Sequence, residues 1–418
     1  MPARTPLQTF GESVRLLRTR RFGTFWISNL LSSIGTWAQQ VAEPWLLLSL
    51  GASSFIVGLD AFAMNAPVWV LTLLGGILAD RGDRRRIIVL FQSVQALCPT
   101  LIVILLLAGA VRPWIIVTLS LVVGITDALS MPSFQSIVPS IVQPDEIGAA
   151  IALNSTQFNL SRILGPTLAG VLMVWVGVVG CFTASAASYL PFILVAVWIL
   201  PRHAGAPQPL GEMHRQLFAG FREIAGHPRL RFALLTVVSM SALAGPLVTF
   251  SPVLVKNVFH TDAAHFSTVL AAFGIGGLLG ATGLLAVEST VDRGRLCLGA
   301  ALAYGAVVVG AGITPWFVGL VGVFVLAGVA MTVSNASANT LLQSTAGPRL
   351  RGQTASLFML AIRGGRSVGD LITGMSVSIV GVQHALILNG TVALLIQLAL
   401  WRAWARGTRA EVASRATV

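Results

Sequence analysis

Little in this sequence is built for water. Charged residues fill 10% of its 418 positions, where soluble domains carry roughly 25%, so a soluble globular fold is excluded. Lysine is nearly absent: of 27 cationic residues only Lys256 is not an arginine. It lies in "VKNV", so the chain has no Gly-Lys-Ser/Thr phosphate loop and no ATP-driven cycle of that type. The three cysteines, Cys98, Cys181 and Cys297, lie in or beside apolar runs and form neither a ligand nor a disulfide pattern. The six histidines fall in loops or at the ends of apolar runs, and no pair has metal-ligand spacing. No His-Glu-x-x-His, nucleophile–base set or paired acids in a hydrophilic segment is present, so no enzyme, metal or cofactor is expected.

What is abundant is grease. Hydrophobic residues make up 55% of the chain and its mean hydropathy is +0.83. A bilayer-crossing helix needs about 20 mostly apolar residues. Twelve such segments are expected, at 22–50, 55–78, 87–110, 114–138, 149–176, 180–200, 231–255, 267–287, 296–313, 316–342, 354–380 and 384–405. The first 21 residues carry five arginines but no cleavage pattern, so the first span is expected to be retained. The long break, "PRHAGAPQPLGEMHRQLFAGFREIAGHPRL", divides the chain into a first bundle (1–200), a linker (201–230) and a second bundle with a basic tail (231–418). Leu217, Phe218, Phe221 and Ile224 recur at helical spacing in the linker, which predicts an amphipathic helix on the membrane surface.

A net charge of +12 would suggest nucleic acid in a soluble protein. Here 22 of the 27 cations fall on one side if the N-terminus is cytoplasmic, and the other side keeps only Arg112 and Lys256. That is the positive-inside pattern. The basicity records topology, with both termini cytoplasmic, and nucleic acid drops out as a partner.

The halves resemble each other. Arg162, Gly165 and Gly170 of "SRILGPTLAG" recur 204 residues later as Arg366, Gly369 and Gly374 of "RSVGDLITG", and "DRGD" at 80–83 is echoed by "DRGR" at 292–295. A duplicated bundle provides a pseudo-symmetric interface at the bilayer midplane. "GIGGLLG" (274–280) lies inside a span with no βαβ context, so Gly276 and Gly280 read as a packing face.

"GGILADRGDRRR" resembles the signature between the second and third helices of the major facilitator superfamily, with Asp83 where glycine is usual. "GTWAQQVAEPWLLL", "MPSFQSIVPSIVQPDEI", "ALNSTQFNLSRILGPTLAG" and "FTASAASY" resemble its enterobactin-exporter-like branch of transmembrane secretion effectors. The resemblance implies an all-α membrane protein of 12 transmembrane helices in two pseudo-symmetric six-helix bundles. It also implies a cytoplasmic gate of Gly76, Asp80, Arg81, Arg84 and Arg85, with Arg84 or Arg85 near Asp127. The motif Gly165, Pro166 and Gly170 is similar to a helix-bend motif of proton-coupled exporters; plain helix packing is the other reading.

Charges inside spans cost about 2.5–3.5 kcal/mol each at the bilayer centre, so they should face the interior and pair. Asp60 and Glu43 are the leading proton-coupling candidates, with a water-interface position the alternative for Glu43. Asp370 is a third candidate, four residues from Arg366 and able to pair with it. Asn29, Gln39, Asn154, Asn159, Arg162 and Arg366 are substrate-cavity candidates, although the two arginines read equally as structural ion-pair members. The expected protein is a monomeric, proton-coupled exporter of a small, siderophore-like or drug-like molecule in the bacterial cytoplasmic (inner) membrane. An uptake symporter or facilitator and a non-transporting membrane sensor are the alternatives.

Overall fold

The computed structural model describes residues 15–201, 226–288, 291–345 and 351–416, and their secondary structure is helical with no strand among them. The helices are α1 (Arg20–Ser49), α2 (Ser54–Asn65), α3 (Pro67–Arg81), α4 (Arg84–Leu107), α5 (Pro113–Ile137), α6 (Ile147–Trp175) and α7 (Val178–Ile199). They continue with α8 (Pro228–Leu243), α9 (Pro246–Thr249), α10 (Ser251–Asn257), α11 (Ala263–Leu285), α12 (Arg293–Ile313), α13 (Phe317–Thr345), α14 (Arg351–Val380) and α15 (Val382–Ala416). The amphipathic helix expected in the linker falls on residues 202–225, outside the described residues.

Helix boundaries follow the local chemistry. Asp83, Asp262 and Asp292 cap the starts of α4, α11 and α12 by accepting backbone N–H groups. Gly109 and Gly177 follow α4 and α6 at φ of 65° and 76°, where a side chain would be strained. Within the helices, hydroxyls bond back onto the preceding turn, as in Thr100 to Ala96 and Thr391 to Ile387. This hides their polarity where no water can take it.

Ten helical segments of the described residues are long and apolar enough to cross a membrane. The other two expected spans, 22–50 and 354–380, coincide with α1 and α14, each 30 residues long. At 1.5 Å per residue that is about 45 Å, ample for crossing. What they lack is apolarity: α1 carries Asn29, Gln39, Gln40 and Glu43, and α14 carries Arg363, Arg366 and Asp370. Large apolar side chains such as Leu107 and Ile379 stand exposed on the helices, as lipid-facing residues do.

The chain divides into two compact units, Met1–Leu50 with Pro67–Gln208, and Gly51–Ala66 with Pro209–Val418. The division differs from the sequence boundaries at 51–66. That stretch, the outer part of the second expected span, packs as α2 against α14. The contact is close because both helices offer glycine there: a Cβ on Gly58 would lie 2.5 Å from the Asp370 carbonyl oxygen and 3.1 Å from Gly374 Cα.

Each unit repeats one packing scheme. In the first, α1 packs on α6 and α7, α3 on α5, and α4 on α5 and α7. In the second, α8 packs on α14 and α15, α11 on α13, and α12 on α13 and α15. Gly280 and Gly328 let α11 and α13 touch backbone to backbone: a Cβ on Gly280 would lie 2.9 Å from the Val329 carbonyl, and one on Gly328 2.7 Å from Gly277 N. The packing-face reading of "GIGGLLG" is thereby confirmed. Gly328→Leu is expected to destabilise the protein by about 1–3 kcal/mol or more, through overpacking against backbone. Thermal unfolding in detergent checks this, and an unchanged midpoint would contradict it.

At the start of α11 the exposed Asp262 accepts the His265 backbone N–H at 3.1 Å and meets its ring Nδ1 at 2.7 Å. These bonds hold the Asp262 carboxyl below the usual carboxylate range. A carboxyl lowered on folding stabilises above its unfolded value and loses that contribution as pH falls through the folded one. The unfolding midpoints of wild type and Asp262→Ala should therefore differ at neutral pH and converge in acid, in a pH series of thermal melts.

Candidate functional site

The turn between α3 and α4 is held by backbone as much as by charge. Asp83 accepts the Arg85 N–H at 3.0 Å and pairs with Arg86 at 3.6 Å. Asp292 repeats this at α12, accepting the Gly294 N–H at 2.9 Å and pairing with Arg295 at 3.6 Å. The structural counterpart of Asp292 is therefore Asp83, not Asp80 as the "DRGD"/"DRGR" match suggested. Asp83 thus has a definite task in place of the usual glycine: it starts a helix.

Arg84 Nε donates to the Ala79 carbonyl at 3.2 Å, and an Arg85 guanidinium N–H donates to the Val197 carbonyl near the end of α7. A cation at a helix C-terminus is favoured by the helix dipole. Arg81 ends α3. Gly76 is buried, and its neighbour Gly75 makes the close approach to α5, where an added Cβ would lie 2.7 Å from the Leu129 carbonyl. The side chains of Asp80 and Asn159 lie outside the described residues.

Polar residues of the first unit converge inside it. Glu43 is 3% exposed and accepts the Ser120 hydroxyl of α5 at 2.7 Å. It is an interior carboxylate, which decides against the interface alternative. Gln39 accepts the Ser185 hydroxyl at 2.8 Å, and Thr36 donates to the buried Tyr189 hydroxyl at 3.0 Å. Asn29 donates to Gln157 at 3.1 Å, and Gln157 donates to Ser33 at 2.8 Å, tying α1 to α6. Asn154 is half-buried on α6, and Asp127 half-buried on α5.

Arg162 lies over the Trp37 and Phe158 rings at 5.6 and 5.8 Å, a cation–π arrangement that offsets its cost in an apolar setting. Gly165 brings α6 onto α1, since a Cβ there would lie 3.0 Å from the Ile34 carbonyl. The helix runs unbroken through Pro166 and Gly170 to Trp175.

In the second unit the expected intrahelical pair is made: Arg366 Nε meets Asp370 Oδ2 at 3.3 Å, with Asp370 fully buried. Arg366 Nη2 also donates to Thr249 at 3.1 Å. Thr249 stands on α9, the short middle piece of a span broken into α8, α9 and α10. Pro246 and Pro252 supply no N–H to the helix ladder, and the freed carbonyls find other donors. The Tyr304 hydroxyl donates to Ala244 O at 3.1 Å, and the Ser251 hydroxyl to Val248 O at 2.7 Å. Asp60 is buried on α2. By the 204-residue offset, Asp370 corresponds to Pro166 of the first copy.

Sequence reasoning passed over Thr249, Tyr304, Ser120 and Tyr189. The prolines of "GPLVTFSPV" were a readable sign of the broken span. The hydroxyls gave no periodic signal.

A multi-pass helical bundle with charges paired in its interior and no hydrophilic domain among the described residues defines a membrane transporter of the major facilitator type. Solved structures agree. The chain resembles a bacterial homolog of the human lysosomal transporter Spinster, inward-facing and unoccupied, with TM-score 0.68 and 17% identity over 96% of this chain and 97% of that one. It likewise resembles the nucleoside transporter NupG, with TM-score 0.70 and 12% identity over 92% and 99%. Residues 13–417 match the family of transmembrane secretion effectors, and the chain belongs to that family.

Among curated relatives, the enterobactin exporter EntS of Citrobacter koseri is 25% identical over 382 residues, 88% of each chain. EntS of Escherichia coli O6:K15:H31 is 26% identical over the same share. The staphyloferrin A transporter of Staphylococcus aureus is 23% identical over 262 residues, 61% of this chain and 64% of that transporter's length.

The α4 cap is open to a direct test. Asp83→Ala should cost about 1 kcal/mol of stability, within the 0.5–2 kcal/mol typical of lost N-caps, while Asp83→Ser should keep most of it. Thermal unfolding of the purified variants measures both, and equal losses would contradict a capping role.

Proposed function

We propose that the protein is a secondary active transporter that exports a small, siderophore-like organic molecule from the bacterial cytoplasm, driven by proton entry. Twelve spans in two six-helix halves, with both termini cytoplasmic, would alternate the access of a central site. The carrying observation is the combination of a whole-length match to secretion effectors with carboxylates buried in apolar helices, Glu43, Asp60 and Asp370. The names of the siderophore transporters similar to it support the cargo class. A carboxylate kept from water titrates nearer neutrality than one in solvent, which a proton carrier needs.

The roles divide as follows. The α3–α4 turn, with Gly76, Asp80, Arg81, Arg84 and Arg85, serves as a cytoplasmic gate. Arg162 and Arg366, each half-satisfied by its own unit, recognise anionic groups of the cargo, with Asn29, Asn154 and Asn159 as further cavity candidates. Gln39 is committed to Ser185 and contributes structure more than recognition. The glycine contact of α2 with α14 is suited to close the outer side.

Inverted membrane vesicles test this reading, with enterobactin as the first probe and a panel of siderophores and dyes behind it. Accumulation should depend on an imposed proton gradient and collapse with a protonophore. Asp60→Asn or Glu43→Gln should abolish the gradient dependence. Gradient-dependent accumulation surviving in both variants would remove these carboxylates from the coupling role. Substrate that binds but never moves would favour a sensor.

A further inference from the structure

The interior of the first unit contains a second carboxylate placed in register with Glu43. Glu43 of α1 meets Ser120 of α5 at 2.7 Å. As first and fourth spans, α1 and α5 run in opposite directions. Seven residues back along α1 is Thr36, and seven residues on along α5 is Asp127. Two helical turns therefore separate the levels of Glu43 and Asp127, about 10 Å at 1.5 Å per residue.

Tyr189 of α7 joins the levels. Its hydroxyl accepts from Thr36 at 3.0 Å, which leaves its own hydrogen to donate. Its electrostatic neighbours are Asp127, Cys98 and Glu43, and Cys98 of α4 is in turn a neighbour of Glu43. Tyr189, Cys98, Ser120 and Glu43 are each less than 5% exposed. Four helices thus enclose one polar interior with an acid at either end.

We propose that Glu43 and Asp127 form a single proton-sharing pair inside the first unit, bridged by the Tyr189 hydroxyl. This rests on the proton-coupled reading above for its use, though not for its existence. It also moves Asp127 from the gate to the coupling machinery. Transfer breaks one O–H bond and makes one: the receiving carboxylate gains the proton that the other loses, Tyr189 surrenders its hydrogen only as it takes another, and no electrons change hands.

The surroundings contribute few other charges. Cys98 is the titratable group facing the pair from α4, whose arginines lie at its first turn. From α6 comes Arg162, occupied with Trp37 and Phe158. On α3, Asp80 and Arg81 lie at the last turn. Two acids about 10 Å apart at an effective dielectric near 20 feel each other by about one pH unit. Groups coupled this strongly titrate as a pair.

The test needs no substrate. The full-length protein in detergent is titrated with pH while infrared spectroscopy follows the protonated-carboxyl C=O bands, assigned by Glu43→Gln and Asp127→Asn. The expected result is reciprocal: each substitution moves the midpoint of the remaining acid by about one pH unit. Tyr189→Phe, which removes one oxygen and keeps the ring, should perturb both bands and leave the unfolding midpoint within a few degrees of wild type.

Midpoints that ignore the other acid would overturn the pair, as would a wild type with no titrating band from either residue. If Asp127→Asn fails to fold, Tyr189→Phe and Glu43→Gln give the same reading. Coupled midpoints without gradient-driven transport would sink the transport reading alone; driven transport with independent midpoints would sink only the pair.

Discussion

In hydrocarbon there is no water to accept a stray hydrogen bond, and everything else in this protein follows from that. Each unsatisfied polar group would cost several kcal/mol, so the backbone is helical and hydroxyls fold back onto their own turns. Buried charges are matched with a partner at the place where they occur. The Arg366–Asp370 pair and the stack of Arg162 on two rings are two answers to one requirement. The first neutralises the cation; the second shields it with polarisable faces.

The same requirement explains how a span can be broken. Proline at 246 and 252 costs backbone hydrogen bonds, tolerable only because Tyr304 and Ser251 supply donors to carbonyls around the break. The result is a short helix that holds Thr249 against Arg366. Irregular backbone and functional polarity coincide, because an interior able to satisfy one can satisfy the other.

Much of the architecture was legible from the chain. Apolar run length located the helices, and the arginines gave an expected orientation, because both signals accumulate over many residues. The i,i+4 spacing of Arg366 and Asp370 told of a pair that is made. The misses were local or long-range. Asp83 was weighed as a gate residue in a glycine's place, whereas its nearest partner is the N–H two residues on. Residues 51–66 were counted with the first bundle, since nothing in their sequence announces that Gly58 fits against Gly374. Tyr189 went unnoticed because its meaning depends on helices distant in sequence.

Position 166 in the first copy and 370 in the second descend from one place in the repeat, yet one is proline and the other aspartate. Duplication released each copy from the other's duties. One retained a residue that shapes backbone and left its arginine to aromatic neighbours; the other acquired an acid that tethers its arginine in place. A carrier made of two such halves is symmetric in its scaffold and handed in its chemistry. Any molecule held between them would meet two unlike faces, and so could be gripped in one orientation and released by a change at only one end.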